Sequence, residues 1–309
     1  MVNWMNSDKT VFEETIKEKT MRIEEALEAF LPKEEGYQKT VIEAMNYSVL
    51  AGGKRLRPML MKETYEMFGG SGALIDPFMA AIEMLHNYSL VHDDLPAMDN
   101  DEYRRGRKTT HMVYGEGMAV LAGDGLLNYA FETAASVFDR TKSLEEYKRA
   151  AAALAVFGKK AGIYGMIGGQ CADIEAEERQ EDMTKDLLMF IHEHKTAALI
   201  QASMMIGAIL AGAEKEQIEA IEKCAYNIGI AFQIQDDILD VTGSQEVLGK
   251  PVGSDEKNNK RTYVTICGLE KSAETVAALS NEAIRILSSF PVRNPFLEKL
   301  IEQLIYREK

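Results

Sequence analysis

Residues that favour helix dominate this sequence in long runs, and no other feature constrains its fold as strongly. Ala, Leu, Glu, Lys and Met are abundant, and only seven prolines interrupt the 309 residues. Strand-like alternation flanked by turn signals is nearly absent, and the pairs Gly52-Gly53 and Gly69-Gly70 mark loops. The sequence therefore predicts an all-α fold, formed by one domain over residues 1–309.

Apolar periodicity and start signals predict where the helices lie. Ser143 followed by two glutamates is typical of a helix start, as is Asp76-Pro77. The stretch 196–213 carries no charge, but its many small side chains favour a helix buried in a bundle over a membrane span. The predicted helices lie near 8–32, 36–50, 57–69, 76–95, 112–139, 143–176, 184–212, 215–241, 262–289 and 294–307.

The charge balance disfavours some classes of function. Net charge is −14, from 49 acidic and 35 basic residues, so neither a nucleic-acid surface nor an anionic-membrane footprint is expected. Three widely separated cysteines without a CxxC pair favour reduced thiols over a disulfide framework or a zinc site. Acidic residues near the N-terminus interrupt the apolar run that an export signal needs, so we expect a cytoplasmic protein.

Two aspartate-rich motifs carry the strongest chemical signal. They read Asp93-Asp94-Leu-Pro-Ala-Met-Asp99 and Asp236-Asp237-Ile-Leu-Asp240, and each lies inside an apolar run. Carboxylates rarely occupy apolar surroundings unless a partner neutralises them. Clusters of oxygen ligands suit hard divalent cations, and Mg²⁺ in particular when phosphates complete its coordination. The motifs predict a metal-bridged phosphate ester held in an apolar cavity.

The first motif should leave the helix that precedes it. A straight helix would place Asp93 and Asp99 on different faces, but Pro96 disfavours helix at the residue before it. We therefore expect a loop that brings Asp99 back beside Asp93. Upstream, His86, Ser89 and Asp93 follow one stripe of the predicted helix.

The second motif should remain helical. Asp236 and Asp240 are four residues apart and so share one face, which Gln233 joins. Two like charges at this spacing destabilise an isolated helix slightly, and a bound cation would reverse the sign of that effect.

Basic residues gather in two segments that provide the positive wall a phosphate needs. One segment is Gly52-Gly53-Lys54-Arg55-Leu56-Arg57-Pro58, and the other is Arg104-Arg105-Gly106-Arg107-Lys108. Lys195 precedes the uncharged stretch, while Lys250 and Lys260 follow the second Asp motif. In a chain of net negative charge, this grouping indicates local anion binding.

These motifs together resemble the trans-isoprenyl diphosphate synthases, also called the polyprenyl synthetase family. The resemblance rests on GGKRLRP, YSLVHDDLPAMDNDEYRRG, HKT, GGQCADIEAE and FQIQDDILD, in the family's order, and extends over about residues 40–265. The four-residue spacer of the first motif, with Tyr88 and Ser89 before it, is similar to that of the bacterial farnesyl diphosphate synthases. The resemblance implies the isoprenoid synthase fold, which is a single large helical bundle around a central cavity.

The resemblance also implies an activity. The enzyme would condense isopentenyl diphosphate with dimethylallyl or geranyl diphosphate to give (2E,6E)-farnesyl diphosphate. The steps would be Mg²⁺-assisted ionisation, attack by the isopentenyl double bond and loss of a proton. The family's usual homodimer is implied as well, with small-molecule diphosphates as the other partners.

Roles for single residues follow from the same resemblance. Mg²⁺, for which Mn²⁺ can substitute, would bind to Asp93, Asp94, Asp99 and Asp236. The allylic diphosphate would contact Arg104, Lys195, Thr196, Gln233, Lys250 and Lys260. Isopentenyl diphosphate would contact Lys54, Arg57, His86 and Arg105. Tyr88 and Ser89 would set the length of the product.

Several alternatives stay open. A geranylgeranyl diphosphate synthase would differ in product length alone. A terpene cyclase would not need the basic set Lys54, Arg57 and Arg105, and a phosphatase built on paired aspartates would need strands that this sequence lacks. A non-catalytic helical subunit of a prenyltransferase would be expected to lose acidic or basic positions, and here both acidic motifs are intact.

Overall fold

A computed structural model describes residues 2–178, 183–242 and 261–305. Within these ranges the chain is helical apart from its loops and one two-stranded hairpin, so the all-α prediction is confirmed. The helices in chain order are α1 (Val2–Glu28), α2 (Lys39–Val49), α3 (Leu56–Met67), α4 (Asp76–Asp93), α5 (Thr110–Tyr114), α6 (Glu116–Ala135), α7 (Leu144–Ala161), α8 (Met166–Glu178), α9 (Lys185–Ile191), α10 (Ala198–Ala211), α11 (Lys215–Thr242), α12 (Tyr263–Cys267), α13 (Leu269–Ser288) and α14 (Pro295–Ile305).

The structure divides some of the predicted helices. Gly115 separates α5 from α6 and Gly268 separates α12 from α13, and both have a φ near +80° that a helix cannot accommodate. A turn at residues 162–165 separates α7 from α8. A 3₁₀ turn (Ser136–Arg140) follows α6, and a π-helical turn (His192–Ala197) joins α9 to α10.

The antiparallel hairpin of β1 (Tyr103–Arg104) and β2 (Arg107–Lys108) was not predicted. Tyr103 pairs with Lys108, and Arg104 pairs with Arg107. Strands of two residues are too short to produce a recognisable alternation in the sequence.

The chain forms two compact units. Unit 1 consists of Met1–Lys62 and Gly72–Tyr147, and unit 2 consists of Glu63–Ser71 and Lys148–Lys309. One domain over the whole chain therefore stays a prediction.

The core of unit 1 is the packing of α4 against α6. The face of α6 that meets α4 consists of small residues, among them Ala119, Ala122 and Gly123, and these are buried. At Gly123 a Cβ atom would collide with the imidazole of His92 on α4. A nitrogen atom of the His92 ring lies 3.1 Å from the carbonyl oxygen of Val120, so the ring occupies the space that a side chain at position 123 would need.

The core of unit 2 contains α10. Every residue from Ala198 to Leu210 is buried, and α11 packs against both α10 and α13. The interpretation of the uncharged stretch as a buried helix is therefore confirmed. Burial on all sides explains why the stretch is apolar around its whole circumference.

One helical stretch of the described chain is long enough and apolar enough to cross a membrane, judged by length and composition alone. It is Leu144–Glu177, where the most apolar window has a mean hydropathy of 1.2 and is one-third buried. A single such stretch is weak evidence, since the core helix of a soluble protein passes the same test.

Candidate active site

The first Asp motif forms the returning loop that the sequence predicts. Helix α4 ends at Asp93, and Asp94 occupies its C-cap. The backbone amide of Asp99 donates a hydrogen bond of 2.8 Å to the carbonyl oxygen of Asp93, and the amide of Met98 donates to Leu95 at 2.9 Å. The loop therefore closes on the last turn of α4, and it satisfies a carbonyl group that the helix end leaves without an intrahelical partner.

Asp94 pairs with an arginine of the following hairpin. The Nε and terminal nitrogen atoms of Arg104 lie 2.6 Å and 2.5 Å from one Asp94 oxygen, and a second contact at 3.5 Å reaches Asp101. Asp94 is buried, and burial raises its pKa, whereas the hydrogen bond from Arg104 acts in the opposite direction. A predicted metal ligand and a predicted diphosphate contact thus pair with each other.

Neighbouring residues of the first basic segment differ in burial. Arg55 is buried, while the neighbouring Lys54 is exposed in the turn before α3. The Arg55 guanidinium donates to the carboxylate of Glu83 at 2.8 Å, to the carbonyl of Val49 at 2.7 Å and to Glu24 at 3.3 Å. Arg55 therefore anchors the turn to α1, α2 and α4, and Lys54 is left facing solvent.

Three of the predicted isopentenyl diphosphate contacts come together in unit 1. Burial lowers the pKa of Arg57 to about 10, and Arg105 lowers it too, while Glu83 acts to raise it. Burial also holds the pKa of His86 well below its usual 6.5, helped by Arg57 and Arg105. The Nε atom of Arg57 is buried without a hydrogen-bond partner. A cationic cluster with an unsatisfied donor is the kind of environment in which a diphosphate is stabilised.

Arg105 crosses the glycine turn of the other basic segment. Its guanidinium donates to the carbonyl of Gly52, and a Cβ atom placed on Gly53 would lie 2.9 Å from the central carbon of that guanidinium. Among the described non-glycine residues, positive φ values occur at Arg55, Asn100 and Arg105, all in the loops of this region. Backbone strain of this kind is concentrated at functional sites.

An open cleft borders this cluster in unit 1. Its lining includes Asp94, Arg104 and Arg105, together with Tyr47 and Arg107. The Arg107 guanidinium lies over the Tyr47 ring at 4.4 Å, and the Tyr47 hydroxyl donates to the carbonyl of Lys108 at 2.8 Å. The cleft adjoins the candidate site without containing Asp93, Arg57 or His86.

Tyr88 lies five residues before the end of α4 and is buried. Its ring meets the ring of His92 edge-on with 5.8 Å between centroids. Burial and the charge of Asp93 raise the pKa of Tyr88 to about 12, so its hydroxyl stays neutral at physiological pH. The hydroxyl of Ser89 donates to the His86 carbonyl at 2.9 Å and is bonded within its own helix.

The second Asp motif lies in unit 2 on an unbroken stretch of α11. Asp236 and Asp240 therefore share a helix face with Gln233, as the spacing predicts. Asp236 is exposed, and Gln233 is half-buried. Asp237 has a structural contact, since its carboxylate accepts a 2.7 Å hydrogen bond from the backbone amide of Tyr263 at the start of α12.

Lys195 and Thr196 belong to the π-helical turn, which was not predicted from the sequence. The Nζ atom of Lys195 lies 2.5 Å from an oxygen of Asp173, a buried residue of α8. Two glycines permit this packing: a Cβ on Gly169 would collide with the backbone nitrogen of Lys195, and one on Gly229 would collide with Ala197. Turns of this type occur mostly as single interruptions of α-helices and are frequent at functional sites.

Two predicted site residues lie outside the described residues. These are Lys250 and Lys260, which follow the second Asp motif in sequence.

The carboxylate groups of the first Asp motif are of the kind that binds a magnesium ion. Asp93 and Asp99 offer carboxylate oxygens from two residues that a backbone hydrogen bond brings together. Within the described ranges, no three His, Cys, Asp or Glu side chains already stand at the spacing of a metal site. That is compatible with Mg²⁺, which is usually bound through one or two carboxylates plus water and substrate phosphates.

Sequence reasoning missed Arg55 as an anchor and Glu83 as its partner in unit 1, and it missed Asp173 as the partner of Lys195 in unit 2. A buried carboxylate inside an apolar helix, such as Glu83 in AAIEML, was the one signal that could have drawn attention to them.

Comparisons with known proteins agree with the fold and the motifs. Residues 38–288 match the family described as polyprenyl synthetase. The farnesyl diphosphate synthase of Geobacillus stearothermophilus is 42% identical over 296 residues, which cover 96% of this chain and 98% of that protein. The chloroplastic geranylgeranyl pyrophosphate synthase of Capsicum annuum is 43% identical over 95% of this chain and 78% of its own. The crystal structure of geranylgeranyl pyrophosphate synthetase from Pyrococcus horikoshii Ot3 superimposes with a TM-score of 0.86 at 32% identity, covering 98% of this chain and 100% of that one. The isoprenoid synthase fold is therefore confirmed.

Proposed function

The chain belongs to the polyprenyl synthetase family and is a trans-prenyltransferase, and from that premise we propose that its product is (2E,6E)-farnesyl diphosphate. It condenses isopentenyl diphosphate with dimethylallyl diphosphate and then with geranyl diphosphate. One observation carries the proposal: Tyr88, a bulky buried residue, lies on α4 five positions before Asp93. The relatives include both farnesyl and geranylgeranyl synthases, so the product depends on this part of the chain.

We assign the isopentenyl diphosphate to the basic cluster of unit 1. Arg57, His86 and Arg105 act on one another electrostatically, and the exposed Lys54 stands in the adjoining turn. The neutral imidazole of His86 donates one hydrogen bond, while the guanidinium groups supply the charge. The buried Nε of Arg57 gains a partner when the diphosphate binds, which removes the penalty of an unsatisfied donor.

We assign the allylic diphosphate to a set of cationic and polar side chains. Arg104 leaves Asp94 to contact it, and Lys195, Thr196 and Gln233 contribute further cationic and polar groups. Lys250 and Lys260 complete the proposed set. Cationic groups aimed at the departing diphosphate stabilise the negative charge that develops as the C–O bond ionises.

Asp93, Asp94 and Asp99 would hold Mg²⁺, as would Asp236, and the family generally uses this ion. When bound, the ion would neutralise charge on the leaving diphosphate. The chain itself orients both substrates and keeps water away from the allylic cation, and no protein nucleophile is needed. The proton that is lost after condensation passes to the released diphosphate.

We also propose a homodimer formed through α5 and the start of α6. Met112, Val113, Val120 and Leu121 are each more than 40% exposed there, and exposed apolar side chains of this size are candidates for contact with a partner. Sedimentation of the wild type and of Leu121→Glu tests this, with the variant expected to sediment as the smaller species. The cytoplasmic location stays a prediction.

A product assay tests the proposed function. The purified protein is incubated with Mg²⁺, labelled isopentenyl diphosphate and geranyl diphosphate, and the dephosphorylated products are separated by chromatography. The expected product has fifteen carbons. A twenty-carbon product would instead identify a geranylgeranyl diphosphate synthase, and an absence of labelled product would identify a non-catalytic subunit.

A further inference from the structure

Arg55 lies between two proposed diphosphate contacts in the chain, yet its side chain is directed into unit 1. It is 3% exposed, and its backbone holds a left-handed φ of 47°. Its guanidinium donates to the Val49 carbonyl at 2.7 Å and to the Glu83 carboxylate at 2.8 Å. A non-glycine residue adopts this conformation only where its surroundings compensate for the strain. The contacts of Arg55 provide that compensation.

Arg55 pairs with two carboxylates among the described residues, those of Glu24 and Glu83, and of the two only Glu83 is buried. It is 2% exposed, and it lies one helical turn before His86 on α4. Burial lowers the pKa of Arg57 and of Arg105, and the charge of Glu83 opposes that lowering at both guanidinium groups. A buried carboxylate requires a cationic partner, and the charge of Glu83 acts on Arg57 and Arg105 as well as on its partner Arg55.

We propose that Arg55 is a positioning residue that keeps the Glu83 carboxylate paired, so that Arg57 and Arg105 remain available for isopentenyl diphosphate. Arg55 makes no contact with the substrate in this arrangement. Its effect on binding comes through Glu83, whose charge would otherwise be neutralised by one of the two substrate-binding arginines. The inference rests on the proposed function, in which Arg57 and Arg105 bind that diphosphate.

The decisive variants are Arg55→Met and the double variant Arg55→Met/Glu83→Gln. With Arg55 removed, Glu83 pairs with Arg57 or Arg105, and the KM for isopentenyl diphosphate rises about tenfold or more, as expected for the loss of one charge-assisted hydrogen bond. The KM for geranyl diphosphate and kcat stay within about twofold. Removing the carboxylate as well abolishes the competition, so the double variant recovers most of the lost affinity.

Folding is tested alongside the kinetics by urea denaturation. Should Arg55→Met fail to fold, Arg55→Lys and the double variant decide the question, because neither leaves a buried carboxylate without a cation. Arg55→Lys retains a positive charge beside Glu83. Its KM for isopentenyl diphosphate is expected to be lower than that of Arg55→Met, if that variant folds, and within about threefold of the wild-type value. A double variant that is at least as impaired as Arg55→Met, or as impaired as Arg57→Ala, overturns the inference.

The Arg57→Ala variant separates this inference from the proposed function. If Arg57→Ala leaves the KM for isopentenyl diphosphate unchanged, the binding assignment itself is wrong. If Arg57→Ala raises that KM and Arg55→Met does not, the assignment stands and the role of Arg55 is refuted.

Discussion

The backbone amide of Asp99 donates a 2.8 Å hydrogen bond to the carbonyl oxygen of Asp93, which is the last residue of α4. This bond fixes two aspartates, six positions apart in sequence, at the end of one helix. Acidic side chains at a helix C-terminus oppose the helix dipole by roughly 0.3–1 kcal/mol each. An arrangement that accepts this repulsion in a prenyltransferase is best explained by a bound cation.

Chelation should therefore abolish condensation. We expect EDTA to remove all measurable activity, and Mg²⁺ or Mn²⁺ to restore it. Asp93→Ala and Asp236→Ala should each lower kcat by about 100-fold or more, because the ionisation step loses electrostatic stabilisation. Asp139→Ala is the matched control, since Asp139 is exposed and lies outside the proposed ligand set. Full activity in EDTA would contradict the assignment of the metal.

A methyl group at Gly53 should weaken binding of isopentenyl diphosphate. The added Cβ would lie 2.9 Å from the Arg105 guanidinium, which must then move. We expect Gly53→Ala to raise the KM for isopentenyl diphosphate by about tenfold while the KM for geranyl diphosphate stays unchanged. Gly52→Ala is the control, because it also has a positive φ but meets no atom within 4 Å. Equal effects of the two variants would show that backbone strain alone is responsible.

The elements that local sequence determines could be predicted. Pro96 forecasts the end of α4 and the returning loop, and Ser143 forecasts the start of α7, where its hydroxyl accepts from the Glu146 amide at 3.1 Å. These features depend on a few neighbouring residues, whose preferred backbone angles and hydrogen bonds are known.

The elements that depend on distant residues could not be predicted. The pairing of Arg55 with Glu83 spans 28 positions, and that of Lys195 with Asp173 spans 22. Nothing in the local sequence distinguishes Arg55 from the adjacent Lys54, although one is buried and the other is exposed. The π-helical turn likewise depends on close packing at Gly169, which becomes visible only when α8 and the turn are brought together.

That close packing leads to a prediction about stability. Gly169→Ala introduces a Cβ that collides with the backbone of Lys195, so α8 or the π-helical turn must shift. We expect this variant to lower the free energy of unfolding by about 1–3 kcal/mol, measured by urea denaturation. Gly117→Ala on α6 meets no atom within 4 Å and should be neutral or stabilising by up to about 1 kcal/mol. Unchanged stability in Gly169→Ala would mean that the helices are not in close contact there.

His86 should make the folded state sensitive to acid. Burial and the surrounding arginines hold its folded-state pKa well below 6.5, while the unfolded chain binds a proton near that value. Above pH 6.5 both states are neutral, so the difference appears only as the pH falls from 6.5 towards the lower folded pKa. Across that window stability falls by at most about 1.4 kcal/mol per pH unit from this group. His86→Gln should remove that slope in urea titrations, and an identical slope in both proteins would rule out His86 as its origin.

Tyr88 should set the length of the product. Five residues of α4 place it about 7.5 Å before Asp93 along the helix axis, and we expect the tail of a diphosphate held at Asp93 to extend in that direction. We expect Tyr88→Ala to release products of twenty carbons or more while turnover continues, because the ring no longer blocks the growing chain. Chromatography of the dephosphorylated products measures the change.

Tyr88→Phe is the control that separates bulk from polarity. It keeps the ring but removes the hydroxyl, whose pKa near 12 shows that it carries no charge at physiological pH. A ring of unchanged size should still stop elongation at fifteen carbons, so Tyr88→Phe should give the wild-type product. An active Tyr88→Ala enzyme with an unchanged product would instead make Tyr88 a core residue packed on His92, and the determinant of product length would lie elsewhere.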